Sequence, residues 1–96
     1  MSSKEKFPNP WENEIKTRSK YKKECQKLHE IMTAKYVTIN QAEEAGVSKA
    51  AFRYAMYHYV TKGIRGWENT RKREGREIAI AAFPIGKKPN WIEKHS

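Results

Sequence analysis

The residues able to do covalent or metal chemistry in this chain are few and poorly spaced for it. His29, His58 and His95 lie far apart, and none stands with a carboxylate at dyad or metal-ligand spacing. The single cysteine, Cys25, falls on an apolar helical stripe with Tyr21, Leu28 and Met32, the setting of an inert buried thiol. One cysteine forms no internal disulfide, which fits a reducing compartment. Zinc-ligand spacing, a phosphate-cradling glycine loop and a nucleophile motif are all missing from the sequence. The expectation is a protein without catalysis, metal or cofactor of its own.

What the chain has in quantity is positive charge. Lys and Arg number 20 against 11 Asp and Glu in 96 residues, for a formal net charge of +9. That excess implies an anionic partner, and duplex DNA, RNA, anionic lipid and an acidic protein all qualify. The charge is uneven: net +4 over residues 1–35, +1 over 36–63 and +4 over 64–96. A near-neutral middle that carries shape, flanked by basic ends that attract phosphate, would distribute charge in this way. Apolar residues at 38% suffice for one modest core. No apolar run is long enough for a signal peptide or a membrane span, so a cytoplasmic, nucleoid-associated protein without a membrane partner is expected.

Several elements must position those charges. Residues 1–9 read as a polar arm. Asn9 can cap a helix with Pro10 in its first turn and Glu12 at capping-box spacing, and nothing breaks that helix before about Ala34. Its buried stripe is Tyr21, Cys25, Leu28 and Met32, with Ile31 beside it, while Lys16 to Lys20 is polar all round. Tyr36 to Ile39 is a β-branched patch that suits a brief strand. Thr38 and Gln41 form a second capping box for a helix Ile39–Ala45, ended by Gly46. Ser48 then caps a helix that runs to about Val60 and stops before Gly63. Beyond it the period changes, with strands expected at 64–69 and 77–83 and a polar tip at 71–75 between them. Pro84 ends the second strand, and 84–96 reads as a basic tail. Trp11, Trp67 and Trp91 suit core anchors better than base-stacking platforms.

The run from Thr38 to Tyr57, TINQAEEAGVSKAAFRYAMY, resembles the helix-turn-helix of DNA-binding regulators. Ala42 is small where the helices approach, Gly46 makes the turn, and Val47 fills the space between them. Ser48 caps the second helix, and Phe52 and Ala55 face the core. Helix, short strand, helix-turn-helix and strand pair, in that order over residues 10–83, resemble the winged-helix type: a mainly α domain with a small β-hairpin. Ala55 departs from the pattern, being small where a larger aliphatic residue is usual, so that some other side chain, with Trp67 and Ile80 as candidates, would have to fill that space.

The resemblance implies a sequence-specific binder of double-stranded DNA, either a small regulator or a phage- or plasmid-type accessory factor. Its second helix would enter the major groove with Ser48, Lys49, Ala50, Arg53, Tyr54 and Tyr57 outward. Arg53 alone among these can grip a guanine edge with two hydrogen bonds. Arg71, Lys72, Arg73 and Arg76 would form a basic wing on the adjacent backbone or minor groove. The rival readings are a DNA-packaging or replication-initiation subunit, and a protein-interaction module that targets polymerase or another host protein. RNA stands behind these, because the aromatic sheet motifs that hold splayed bases are missing. A homodimer stays open, although no heptad or dimer stripe is left once the core has taken the apolar residues.

Overall fold

Asn9 opens the first helical turn as its side chain predicts, its Oδ1 accepting the Trp11 amide proton at 2.8 Å. The computed structural model describes residues 9–13 and 19–92. Helix α1 spans Pro10–Asn13 and α2 spans Ser19–Met32. The long helix expected over 10–34 is therefore two helices, and they are not coaxial. The Trp11 ring lies 5.9 Å from that of Tyr59, which lies 6.1 Å from that of His29, so the Trp11 and His29 rings are at most about 12 Å apart, too close for backbone positions on one straight helix. An unbroken helix would separate them by about 27 Å. Aromatic packing of Trp11, whose side chain is wholly buried, holds α1 against the domain instead. The expected arm at 1–8, the polar positions 16–18 and residues 93–96 lie outside the described residues.

The middle follows its local signals closely. Helix α3, Ile39–Glu44, opens with a reciprocal capping box between Thr38 and Gln41, both bonds 3.1 Å. It closes on Gly46 at φ +99°, where the Gly46 amide reaches the Glu43 carbonyl (3.0 Å) and the Val47 amide reaches Ala42 (2.9 Å). These bonds close the helix end on its last carbonyls, the Ala42 oxygen accepting the Ala45 amide as well at 3.0 Å. Helix α4, Lys49–Tyr57, is capped by Ser48, whose Oγ accepts the Ala51 amide at 3.2 Å. Past Tyr57 the helix widens into a π turn, His58–Lys62, closed by the Gly63 amide on the His58 carbonyl at 2.9 Å.

Strand β1, Trp67–Glu74, pairs antiparallel with β2, Glu77–Pro84, through the two-residue turn Gly75–Arg76. Gly75 has φ +69° and takes the first turn position, where two-residue hairpin loops favour glycine. The strand expected at 36–39 contracts to one residue, Val37, bridged to Ile80. Helices and one small two-stranded hairpin thus make up the described fold.

One face of the hairpin carries Trp67, Ile80 and Ala82 into the main core, with Cys25, Leu28 and Met32 of α2 and Phe52, Ala55 and Tyr59. Ala55 is fully buried in this cluster, which also contains Trp67 and Ile80. Ala42, Ala51 and Ala55 are fully buried, which lets α3, α4 and α2 approach closely; the Cys25 Sγ lies 4.0 Å from the Ala51 carbonyl oxygen. The opposite face of the hairpin is covered by the segment read as a tail: Ile92 packs with Ala81 and Phe83, and Trp91 stands edge-on to Tyr36 at 5.7 Å.

His29 was not marked by the sequence, yet it sits at the centre of the core. Its Nδ1 is hydrogen-bonded to the Tyr59 hydroxyl, and its ring stands edge-on to Trp67 at 4.3 Å. Burial lowers the His29 pKa from 6.5 to about 4 and pushes the Tyr59 phenol up. The unfolded chain therefore takes a proton on this imidazole before the folded one does, and stability falls as pH drops from about 6.5 toward 4. From pH 7 to pH 5 the expected loss is on the order of 2 kcal/mol. Urea denaturation at the two pH values should show it, with a much flatter response in His29→Gln; equal parental stability at both would contradict a neutral buried His29.

Candidate nucleic-acid interface

Helix α4 has two unlike sides. Ala51, Phe52 and Ala55 are buried, whereas Lys49, Ala50, Arg53 and Tyr57 are exposed and recur at helical spacing along the other side. Tyr57 is 53% exposed, with its ring edge-on to His58 at 5.6 Å. These four expected contact residues form one outward stripe, and the π turn continues it with Val60 and Thr61, both exposed.

The other two expected α4 contacts are engaged elsewhere. Tyr54 is half-buried in an aromatic cluster, its ring centroid 5.3 Å from Tyr21, 4.5 Å from His58 and 6.3 Å from Trp11. It packs sideways onto α1 and α2 because those rings offer apolar contact that the solvent side lacks. Ser48 is exposed, but its hydroxyl donates to Glu24 Oε1 at 2.7 Å while accepting the Ala51 amide, and its own amide donates to the same Oε1 at 3.1 Å. A carboxylate of α2 thus stands at the N-terminal end of α4, where the helix dipole favours negative charge.

The basic cluster of the hairpin also differs from its expected form. Arg71, Lys72 and Arg73 belong to β1 rather than to a loop, and only Arg76 is in the turn. Strand alternation then divides them. Arg71 pairs with Ile80 and Arg73 with Ile78, which puts both exposed arginines on the helix-facing side, beyond the end of the core. Lys72 points to the opposite face, where its Nζ lies 4.4 Å from the Tyr36 ring centroid and 3.7 Å from a Glu74 carboxylate oxygen. That outer face also carries a cleft of about 380 Å³ lined in part by Thr70, Phe83, Lys88 and Ile92.

Among the described residues, the polar contacts that tie the hairpin to the helical part of the chain include these three. The Asn40 side-chain amide donates to Glu77, and the Asn69 amide donates to the Tyr59 carbonyl at 3.2 Å, satisfying an acceptor in the π turn. The third is the bridge between Ile80 and Val37, in the segment that leads into α3. Sequence reasoning found none of Glu24, Asn40 or Asn69, whose partners are distant along the chain. Along α2, Lys20, Lys22, Lys23 and Lys27 are exposed.

Burial raises the Cys25 thiol to about 12, with Glu24 adding to the effect, so the sulfur is protonated and shielded. Among the described residues no group of three or more His, Cys, Asp or Glu is placed to hold a metal ion. None of the described helices is long and apolar enough to cross a membrane. No protein-family model, curated protein or solved structure matches this chain.

The direction of α4 depends on Gly46. At φ +99° a side chain is strained, and an added Cβ would also come within 3.2 Å of Lys27 Nζ. The lysine can swing aside, but the backbone strain stays. Gly46→Ala is expected to cost about 1–2 kcal/mol in urea denaturation; an unchanged midpoint would show that the turn tolerates L-residues.

Proposed function

We propose that this chain is a sequence-specific double-stranded DNA-binding protein of the winged helix-turn-helix type, non-catalytic, and active as a transcriptional regulator or DNA-transaction accessory factor. The observation that carries the reading is the outward stripe of α4 combined with arginines on the helix-facing side of the hairpin. A helix with one face fully buried and the other bearing Lys49, Arg53 and Tyr57 has the width and chemistry for a major groove. Arg53 is its base reader and Lys49 meets phosphate. Arg71, Arg73 and Arg76 meet the adjacent backbone or a narrow minor groove, where the negative potential favours arginine. Ser48, Tyr54 and Lys72 are left out of the contact set because each already has partners within the fold.

A protein-interaction role is the second reading, favoured by the exposure of Tyr57 (53%) and Val60 (40%) on the same side as Arg53. Salt separates the two. Phosphate neutralisation releases counterions, so duplex affinity should fall log-linearly with salt. Titration of a labelled duplex over a salt series tests this, and no binding at low salt would favour the protein partner.

Mutations then divide the roles. Arg53→Ala should weaken binding to a selected site by about 1–3 kcal/mol while changing random-duplex affinity far less. Equal losses on both would show that Arg53 does not read bases. The Arg71→Ala, Arg73→Ala double variant should fold with stability changed by about 0.5 kcal/mol or less, since both side chains are exposed. Its salt slope should flatten by roughly one counterion per lost phosphate contact. A parental slope in a folded double variant would remove the hairpin from the interface.

A further inference from the structure

We infer that Glu24 is an electrostatic brake on backbone binding: its carboxylate, held against Ser48, denies the N-terminal end of α4 to DNA phosphate and so suppresses sequence-independent binding. The inference rests on the DNA-binding reading above and adds a repulsive element to it.

A helix N-terminus capped by serine ordinarily attracts an anion, because its amides and dipole present partial positive charge. Here the protein supplies its own anion. Glu24 Oε1 takes both Ser48 donors, the hydroxyl at 2.7 Å and the amide at 3.1 Å. The serine that the sequence marks as a phosphate contact therefore has its proton committed to a carboxylate.

The surroundings make that acid conspicuous. Lys20, Lys23 and Lys27 flank it on α2, and Lys49 follows Ser48, all exposed. Between Ser19 and His29, Glu24 is the only acidic residue. Without it no acid on α2 would offset these lysines beside Ser48, leaving the exposed Glu43 and Glu44 at the end of α3 as the neighbouring negative charges, and this end of α4 could hold a backbone regardless of sequence. Phosphate contacts position a protein but carry no sequence information, whereas base contacts do. A fixed negative charge beside the leading end of α4 lowers the affinity for every duplex alike. A preferred site recovers that loss through Arg53 at a base edge, and random DNA does not. A uniform penalty leaves the ratio of the two affinities unchanged; what falls is the occupancy of random DNA, which has no base contact to offset the loss.

Glu24→Gln isolates the charge, since the amide oxygen can still accept from Ser48. The parent, Glu24→Gln, Glu24→Ala and Ser48→Ala are titrated with a labelled random-sequence duplex over a salt series, with circular dichroism to confirm the fold. A unit charge a few ångströms from a phosphate across water corresponds to about three- to fivefold in affinity. Glu24→Gln and Glu24→Ala are each expected to bind random duplex tighter by that factor at low salt, with a slope steeper by up to about one counterion. Ser48→Ala keeps the carboxylate and should show no gain, which a merely structural role for the Glu24–Ser48 contact would not predict. Either folded Glu24 variant binding random duplex no tighter than the parent overturns the inference and leaves the DNA-binding reading standing. A parent that binds no duplex at low salt overturns both.

Discussion

The Val37 amide donates to the Ile80 carbonyl and the Ile80 amide donates back to Val37, both at 3.0 Å, and on this pair the placement of the rest depends. Each bond contributes only about 1 kcal/mol net, so their importance lies in register. The next residue after Val37 is Thr38, the cap of α3, and the antiparallel sense sends the chain from there toward the hairpin turn, where Asn40 meets Glu77. Gly46 then sets α4 relative to α3. A slip of one residue at the bridge would exchange the two faces of β2, turning Ile80 and Ala82 out of the main core. Arg71 and Arg73 would no longer stand on the same side as α4.

Small residues make the close packing possible and large aromatic ones complete it. Ala42, Ala51 and Ala55 let three helices converge, and Trp11, Tyr59 and Trp67 fill the remaining volume around His29. Because the core takes these side chains, α4 leaves only one stripe for a partner. Strand alternation imposes the same economy on the hairpin, dividing Arg71 and Arg73 from Lys72, whose ammonium is held by Tyr36 and Glu74. Much of the positive charge is thus not available to a single surface. The proposed interface uses Lys49, Arg53 and the hairpin arginines, with Glu24 shaping how strongly the leading end of α4 attracts a backbone.

The parts legible in the sequence are those whose partners lie within a few residues. The Thr38–Gln41 box, the Gly46 turn and the Ser48 cap close over distances of six residues or fewer, so residue type and spacing reveal them. The outward positions Lys49, Ala50, Arg53 and Tyr57 follow from the same periodicity. The extent of β1 was hidden because its outer half, Thr70–Glu74, is polar and borrows its order from the apolar strand beside it. The Glu24 partner of Ser48 was hidden because it lies 24 residues away, and the half-buried place of Tyr54 because the rings that attract it sit on α1 and α2. A run of Lys87, Lys88 and Pro89 suggested a tail, yet Ile92 beyond it buries itself on Phe83. Contacts of this kind are consequences of the fold, and composition does not announce them.

In the proposed interface the α4 stripe and the helix-facing arginines of the hairpin form one DNA-contacting surface. Amide chemical-shift mapping of the isotope-labelled protein, titrated with a short duplex at low salt, tests it most directly. Shifts should concentrate at residues 49–57 and 71–76, with little change at Tyr36, Phe83, Trp91 and Ile92 on the opposite face of the hairpin. Shifts centred on that opposite face, with residues 49–57 unperturbed, would contradict the account.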